Sequence, residues 1–117
     1  MLQIKRAYLA PNKTDGYRVL VDRIWPRGKS KENEKIDCWL KEIAPSTDLR
    51  KWFNHEAEKY TQFKSNYLAE LQNDPQKKAL KELKEILSQH ETVTLVYGAK
   101  NEEQNNAQVL YELLTKF

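Results

Sequence analysis

The sequence predicts a small three-layer α/β domain, with a mostly parallel central sheet of at least three strands flanked by about five helices. Three observations lead there. Tyr17–Trp25 and Thr92–Ala99 are β-branched and apolar on both faces, the pattern of strands covered on each side. Between them the apolar spacing switches from alternation to the helical period. A further amphipathic segment follows the last strand, so helices link and follow strands as parallel sheets require. At 117 residues, with no internal repeat and no change of composition along the chain, a single domain spanning 1–117 is expected.

Leu2–Leu9 reads as the first strand, and the loop Pro11-Asn12-Lys13-Thr14-Asp15-Gly16 separates it from the second. That loop is shorter than a usual parallel crossover, which leaves an antiparallel pairing of these two strands open. In the second strand Val19 and Val21 share one face, and Leu20 and Ile24 share the other. Ile36, Trp39, Leu40 and Ile43 then fall at i, i+3, i+4, i+7 and predict a helix, stopped by Ala44-Pro45 because a residue before proline avoids the helical region. Ser46 can cap a short helix with Leu49, Trp52 and Phe53 inward. Asn54 can cap the next, which has Glu56 and Glu58 in its first turn and Tyr60, Phe63, Tyr67 and Leu71 as its stripe. Asp74-Pro75 opens a fourth, packed through Ala79, Leu80, Leu83, Ile86 and Leu87. The third strand, Thr92–Ala99, leads to a last helix starting near Asn101 and burying Ala107, Leu110, Tyr111 and Leu114. A poorly patterned fourth strand could be hidden in this pattern.

Charge and composition exclude several classes. Twenty Lys and Arg against 17 Asp and Glu leave +3, too little for a heavily basic nucleic-acid binder. One cysteine, Cys38, allows no internal disulfide and fits a reducing compartment. The first residues lack a signal-peptide core and the longest apolar stretch is too short to span a bilayer, so a cytoplasmic protein without a membrane partner is expected. With three glycines there is no dinucleotide or P-loop nest, and His55 and His90 stand without metal-ligand spacing, so neither cofactor nor metal is expected.

In open α/β sheets ligands bind beyond the carboxyl ends of the strands. If strands two and three are parallel, that edge gathers Asp22, Arg23 and Trp25-Pro26-Arg27-Gly28 from one, Tyr97-Gly98-Ala99-Lys100 from the other, and the start of the last helix. Helix N-termini and guanidinium forks both favour anions, so Arg23, Arg27 and Lys100 become candidate anion-binding residues, with Asn105 or Asn106 as hydrogen-bonding partners and Trp25 and Tyr97 as lining. The plainer alternative is that Trp25-Pro26-Arg27-Gly28 is a turn after a strand, its Trp in the core and its arginines pairing surface carboxylates. Arg23 is the stronger of the two arginines, because a charge within an apolar strand is costly unless it is used or paired. Asp22 faces away from it and reads as a loop cap or a partner for another base.

Leu49-Arg50-Lys51-Trp52-Phe53-Asn54-His55 is a second candidate segment, from which Arg50 and His55 can tip toward a cleft. His55 is a candidate general acid or base; its plainer role is to bind the last carbonyls of a helix. Arg23 to Lys31 holds four basic residues and no acid, a patch that nucleic acid could use. Ile36–Ile43 and Ser46–Asn54 resemble a helix-turn-helix in outline.

Ile4-Lys5-Arg6, the string Asp15-Gly16-Tyr17-Arg18-Val19-Leu20-Val21-Asp22-Arg23-Ile24-Trp25-Pro26-Arg27-Gly28, Ile43-Ala44-Pro45-Ser46, Leu49–His55, Thr94-Leu95-Val96-Tyr97, Asn105 and Ala107 together resemble the YeaO-like branch of the domain of unknown function 488 family over nearly the whole chain. The resemblance implies a small α/β domain with signature polar residues at Arg23, Arg27, Arg50, His55 and Asn105, and it implies no agreed activity. Two positions depart from the pattern: Glu56 stands where members tend to have Asp, and Asn101 where an acidic residue often follows the Lys. The expectation is a basic polar pocket for a small phosphate- or nucleotide-like anion, with proton transfer by His55 as a further option. The alternative is a nucleic-acid-binding or regulatory module using residues 23–31.

Overall fold

The computed structural model describes residues 1–116. The elements are β1 (Leu2–Arg6), β2 (Tyr17–Leu20), α1 (Lys31–Glu34), β3 (Cys38–Trp39), α2 (Thr47–Phe53), α3 (Tyr60–Glu70), α4 (Gln76–Gln89), β4 (Val93–Tyr97) and α5 (Asn106–Thr115). They build the α/β domain the sequence predicts. Its sheet has four parallel strands in the order β1, β4, β2, β3.

β4 runs down the middle, with Leu95 opposite Ile4 on one side and Val19 on the other, and all five of its residues are buried. β1 and β2 therefore do not pair, and the antiparallel option is replaced by two parallel neighbours of one strand. The short connection suffices because it only steps across β4, handing over from Ala7 N–H on Tyr97 O to Tyr17 N–H on Thr92 O. Gly16 makes that step possible. Its φ is +65°, and a Cβ there would stand 2.3 Å from Thr92 O.

Alternation along the strands divides the core. Tyr17, Val19, Val21, Val93, Leu95 and Tyr97 join the large cluster formed with Leu49 and Phe53 of α2, Phe63 and Tyr67 of α3, Leu83 and Ile86 of α4, and Leu110 of α5. Leu20, Val96 and Ala7 face the other way, under Trp25, Ile36 and Trp39. That third layer is thin, made of loops and of α1. Arg18, also on this face, is 3 % exposed and lies between Asp15 (2.7 Å) and Glu34 (3.4 Å), while Asp15 also takes Lys5 Nζ at 3.2 Å. Burial alone would raise the Asp15 carboxyl, but the Asn12 N–H, Lys5 and Arg18 together hold it below its ordinary value. Glu34 goes the other way, pushed up by burial against the pull of Arg18 and Lys29.

Several boundaries differ from the sequence reading. Ile36–Ile43 is not a helix: Asp37 N–H bonds Arg18 O, Leu40 N–H bonds Leu20 O, and the Trp39 indole N–H bonds Asp22 O, so the segment becomes the edge strand β3 followed by a 3₁₀ turn at Lys41–Ile43. Sheet hydrogen bonds outweigh an apolar spacing that happened to be helical. The helix-turn-helix outline falls with it. The chain still stops at Ala44, extended before Pro45, and Ser46 Oγ caps α2 through Leu49 N–H. Trp52 turns outward, 42 % exposed, with Lys59 Nζ 5.1 Å from its ring. Asn54 closes α2 in the left-handed conformation and does not open α3. Asp74 gives α4 no side-chain cap. α5 starts at Asn106, because Asn101 Oδ1 collects the N–H groups of Glu103 and Gln104 in a separate turn and Asn105 is the cap. Among the described residues no helix is long and apolar enough to cross a membrane, and no group of His, Cys, Asp or Glu is arranged to hold a metal ion.

Candidate functional site

β2 stops at Leu20 rather than continuing to Trp25, and this early end builds the site. Val21 N–H still reaches Val96 O, but the Asp22 carboxylate then accepts Gly98 N–H at 2.8 Å and Asn106 Nδ2 at 3.1 Å, tying together the ends of β2 and β4 and the first residue of α5. The backbone bends through 22–24. A Cβ at Gly98 would lie 3.2 Å from Asp22 Oδ2, so this close approach suits glycine.

Beyond these strand ends opens a cleft of ≈ 590 Å³. Asp22, Gly98 and Asn106 line it from the sheet and α5, Arg23, Ile24 and Pro45 from the loops after β2 and β3, and Arg50, Phe53, His55 and Ala57 from α2 and the segment that follows. Two successive left-handed residues, Asn54 (φ 45°) and His55 (φ 57°), turn the chain sharply out of α2 and bring His55 to this wall. Asn and His are among the side chains that tolerate that region.

Of the residues selected from the sequence, the structure brings Arg23, Arg50, His55, Lys100 and Asn105 to one cleft. They are not equivalent. Arg23 Nη2 and Nε make long bonds of 3.3 and 3.4 Å to Ala44 O and Pro45 O, and Glu42 is 3.9 Å away, so its fork is lightly held. Arg50 Nε is buried and has no hydrogen-bond partner. Asn105 is 2 % exposed and already committed, accepting from Gln108 N–H and donating to Asn101 O. It shapes the loop, and one of the N–H groups at the start of α5 is thereby occupied. His55 is exposed beside Phe53, their rings 6.2 Å apart.

Trp25, Arg27 and Tyr97 are not brought to the cleft. Trp25 meets Trp39 edge-on and donates to Lys29 O at 2.7 Å, closing the turn in which Gly28 has φ +78° and leaving Arg27 exposed on it. Trp25 thus packs on the smaller core cluster, as the plainer alternative has it, but among the described residues Arg27 pairs with no carboxylate. Tyr97 is 2 % exposed within the main core.

Asp22 is the group that sequence reasoning reads as a loop cap or a partner for another base, not as a site residue. Burial raises its carboxyl above the ordinary value, although Gly98 N–H, Asn106, Arg50 and His55 all pull downward. The folded chain thus holds this proton more tightly than the unfolded chain. Its contribution to stability is therefore largest at low pH and is lost as pH rises from 3.8 through the raised value. Asp22→Asn removes the titration while keeping an acceptor for Gly98 N–H. In urea unfolding at a series of pH values, the variant is expected to gain on the parent chain as pH increases. A difference independent of pH would show that Asp22 titrates alike in both states.

A family model described as "Inactive DUF488-N3 subclade" matches residues 1–117. The chain is similar to "Uncharacterized protein YeaO" of Escherichia coli (strain K12), with 46% identity over 114 residues, 97% of this chain and 96% of that protein. It is also similar to "Uncharacterized protein Rv3073c" of Mycobacterium tuberculosis (strain ATCC 25618 / H37Rv), with 38% identity over 113 residues, 97% of this chain and 92% of that protein. No solved structure matches it.

Proposed function

The chain belongs to the inactive N3 subclade of the DUF488 family, and from that premise we propose that its cleft binds a small anionic ligand without transforming it. The observation that carries this reading is the set of cations in the cleft: Arg50 and Lys100 line it, and among the described residues neither forms a salt bridge with a carboxylate. Guanidinium and ammonium groups not taken up by a protein carboxylate are free to hold a carboxylate or phosphate. Arg23 and Lys100 add positive charge to the same cleft against the single carboxylate of Asp22. In this reading His55 contacts the ligand rather than transferring a proton. An acid–base imidazole is held by an orienting partner, and no side chain hydrogen-bonds the His55 ring among the described residues. The family description supports the same choice.

The nucleic-acid reading has less behind it. Within 23–31, Arg23 is bonded to the carbonyls of 44–45, Trp25 packs on Trp39, and Lys29 sits 5.4 Å from the Tyr8 ring, so the basic run is divided among separate contacts.

Thermal-shift and calorimetric titrations with inorganic phosphate, acetate and adenosine monophosphate test the proposal. At least one is expected to raise the melting temperature, since any ligand of the folded state stabilises it. Arg50→Met is expected to weaken that ligand by roughly 10- to 100-fold, the effect of losing a hydrogen bond to a charged group. No response to any of the three, or undiminished binding by the variant, overturns the reading.

A further inference from the structure

Resting on the anion-binding reading, the cleft also indicates what is attached to the anion. Its volume of ≈ 590 Å³ lies in the range of sites that enclose a whole organic molecule, and an inorganic anion at Arg50 would leave most of it unfilled. The lining has two kinds of surface. Arg23, Arg50 and Lys100 supply charge and donors and His55 a polar ring, whereas Ile24, Pro45, Ala57 and Phe53 supply apolar wall. Ile24 is 59 % exposed. A lone exposed isoleucine needs no explanation, but this one follows the Asp22 bend directly and stands in the same cleft as Pro45 and Ala57, where an apolar group could cover it. Asp22 limits the charge a ligand can carry: its carboxylate is fixed at the sheet end by Gly98 and Asn106, and a second anionic group there would meet it.

We infer that the ligand is amphipathic, with one anionic end, carboxylate or phosphate, at the cationic wall and an uncharged apolar or aromatic body against Ile24, Pro45 and Ala57. The apolar body adds affinity by removing these surfaces from water.

The experiment uses two pairs of probes on the whole chain: phenyl phosphate against inorganic phosphate, and phenylacetate against acetate, by calorimetry. In at least one pair the aryl compound is expected to bind ten times more tightly or better. Ile24→Ser, at an exposed position that the fold does not depend on, is expected to shrink that advantage while leaving the smaller anion's affinity unchanged. Equal affinity within both pairs, or an advantage untouched by Ile24→Ser, overturns the amphipathic ligand and leaves the anion site standing. Binding by none of the four overturns both.

Discussion

Arg18→Met is expected to destabilise the protein by about 3–5 kcal/mol at neutral pH, the usual loss when one member of a buried ion pair is removed. The guanidinium is 3 % exposed and serves both Asp15 and Glu34, and its Nε–H also bonds Glu34 O at 3.1 Å. Methionine fills the space but answers neither carboxylate. Asp15 keeps Lys5 and the Asn12 N–H, whereas Glu34, 1 % exposed, keeps no side-chain ion pair. Glu34 then takes up a proton. Without Arg18 its folded-state carboxyl rises further above the unfolded value, so the variant should recover part of its loss as pH falls. Replacing all three residues, Arg18→Met with Asp15→Asn and Glu34→Gln, should be much less harmful than the single change, because no charge is left buried. Urea midpoints decide the matter: a single-variant loss below about 1 kcal/mol would mean that water reaches these carboxylates.

Gly16→Ala is the second change with a large expected cost, about 3 kcal/mol or more. Two effects add. At φ +65°, ψ −134° an L-residue is strained by roughly 1–3 kcal/mol. The new methyl would also meet Thr92 O at 2.3 Å, the oxygen that accepts Tyr17 N–H where β2 begins to pair with β4. Relief requires moving the start of a central strand pair. Gly28→Ala is the matched control, since φ there is +78° but nothing lies within 4 Å of the added carbon. It should show only the conformational strain, about 1–2 kcal/mol. Equal losses at the two glycines would remove the collision from the account.

How much of this could be read in advance varies by residue, for physical reasons. Val19, Leu20, Leu95 and Val96 announce interior strands because both faces must be apolar. Phe63, Tyr67, Leu83 and Ile86 announce helices because only one stripe is buried. β3 is silent: it has two residues, and its neighbours Ile36, Leu40 and Ile43 are spaced as a helix would space them. The rule that ligands gather at strand ends led to Arg23, Lys100 and Asn105, and the segment Leu49–His55, read as able to tip its polar ends toward a cleft, led to Arg50 and His55, without showing that all five border one hollow. Asp22 was hidden by the alternation argument, which holds only while the strand continues. Its bond to Gly98 N–H, seventy-six positions later, ends the strand. Trp25 and Arg27 fell outside the cleft for the same reason, carried away by the turn that follows. The two departures from the family pattern have local explanations: Glu56 pairs with Lys59 at 3.0 Å, and Asn101 organises the turn before α5.

The central place of β4 also bears on synthesis. Residues 93–97 supply the partner for β1 and most of the partner for β2, so a ribosome must release the chain through this segment before β1 has any strand to bind and before β2 has more than the two-residue edge strand β3. Until then their unsatisfied backbone groups stay open to other chains. Nascent fragments that stall before Thr92 should depend on chaperones, and assembly should proceed almost at once after it.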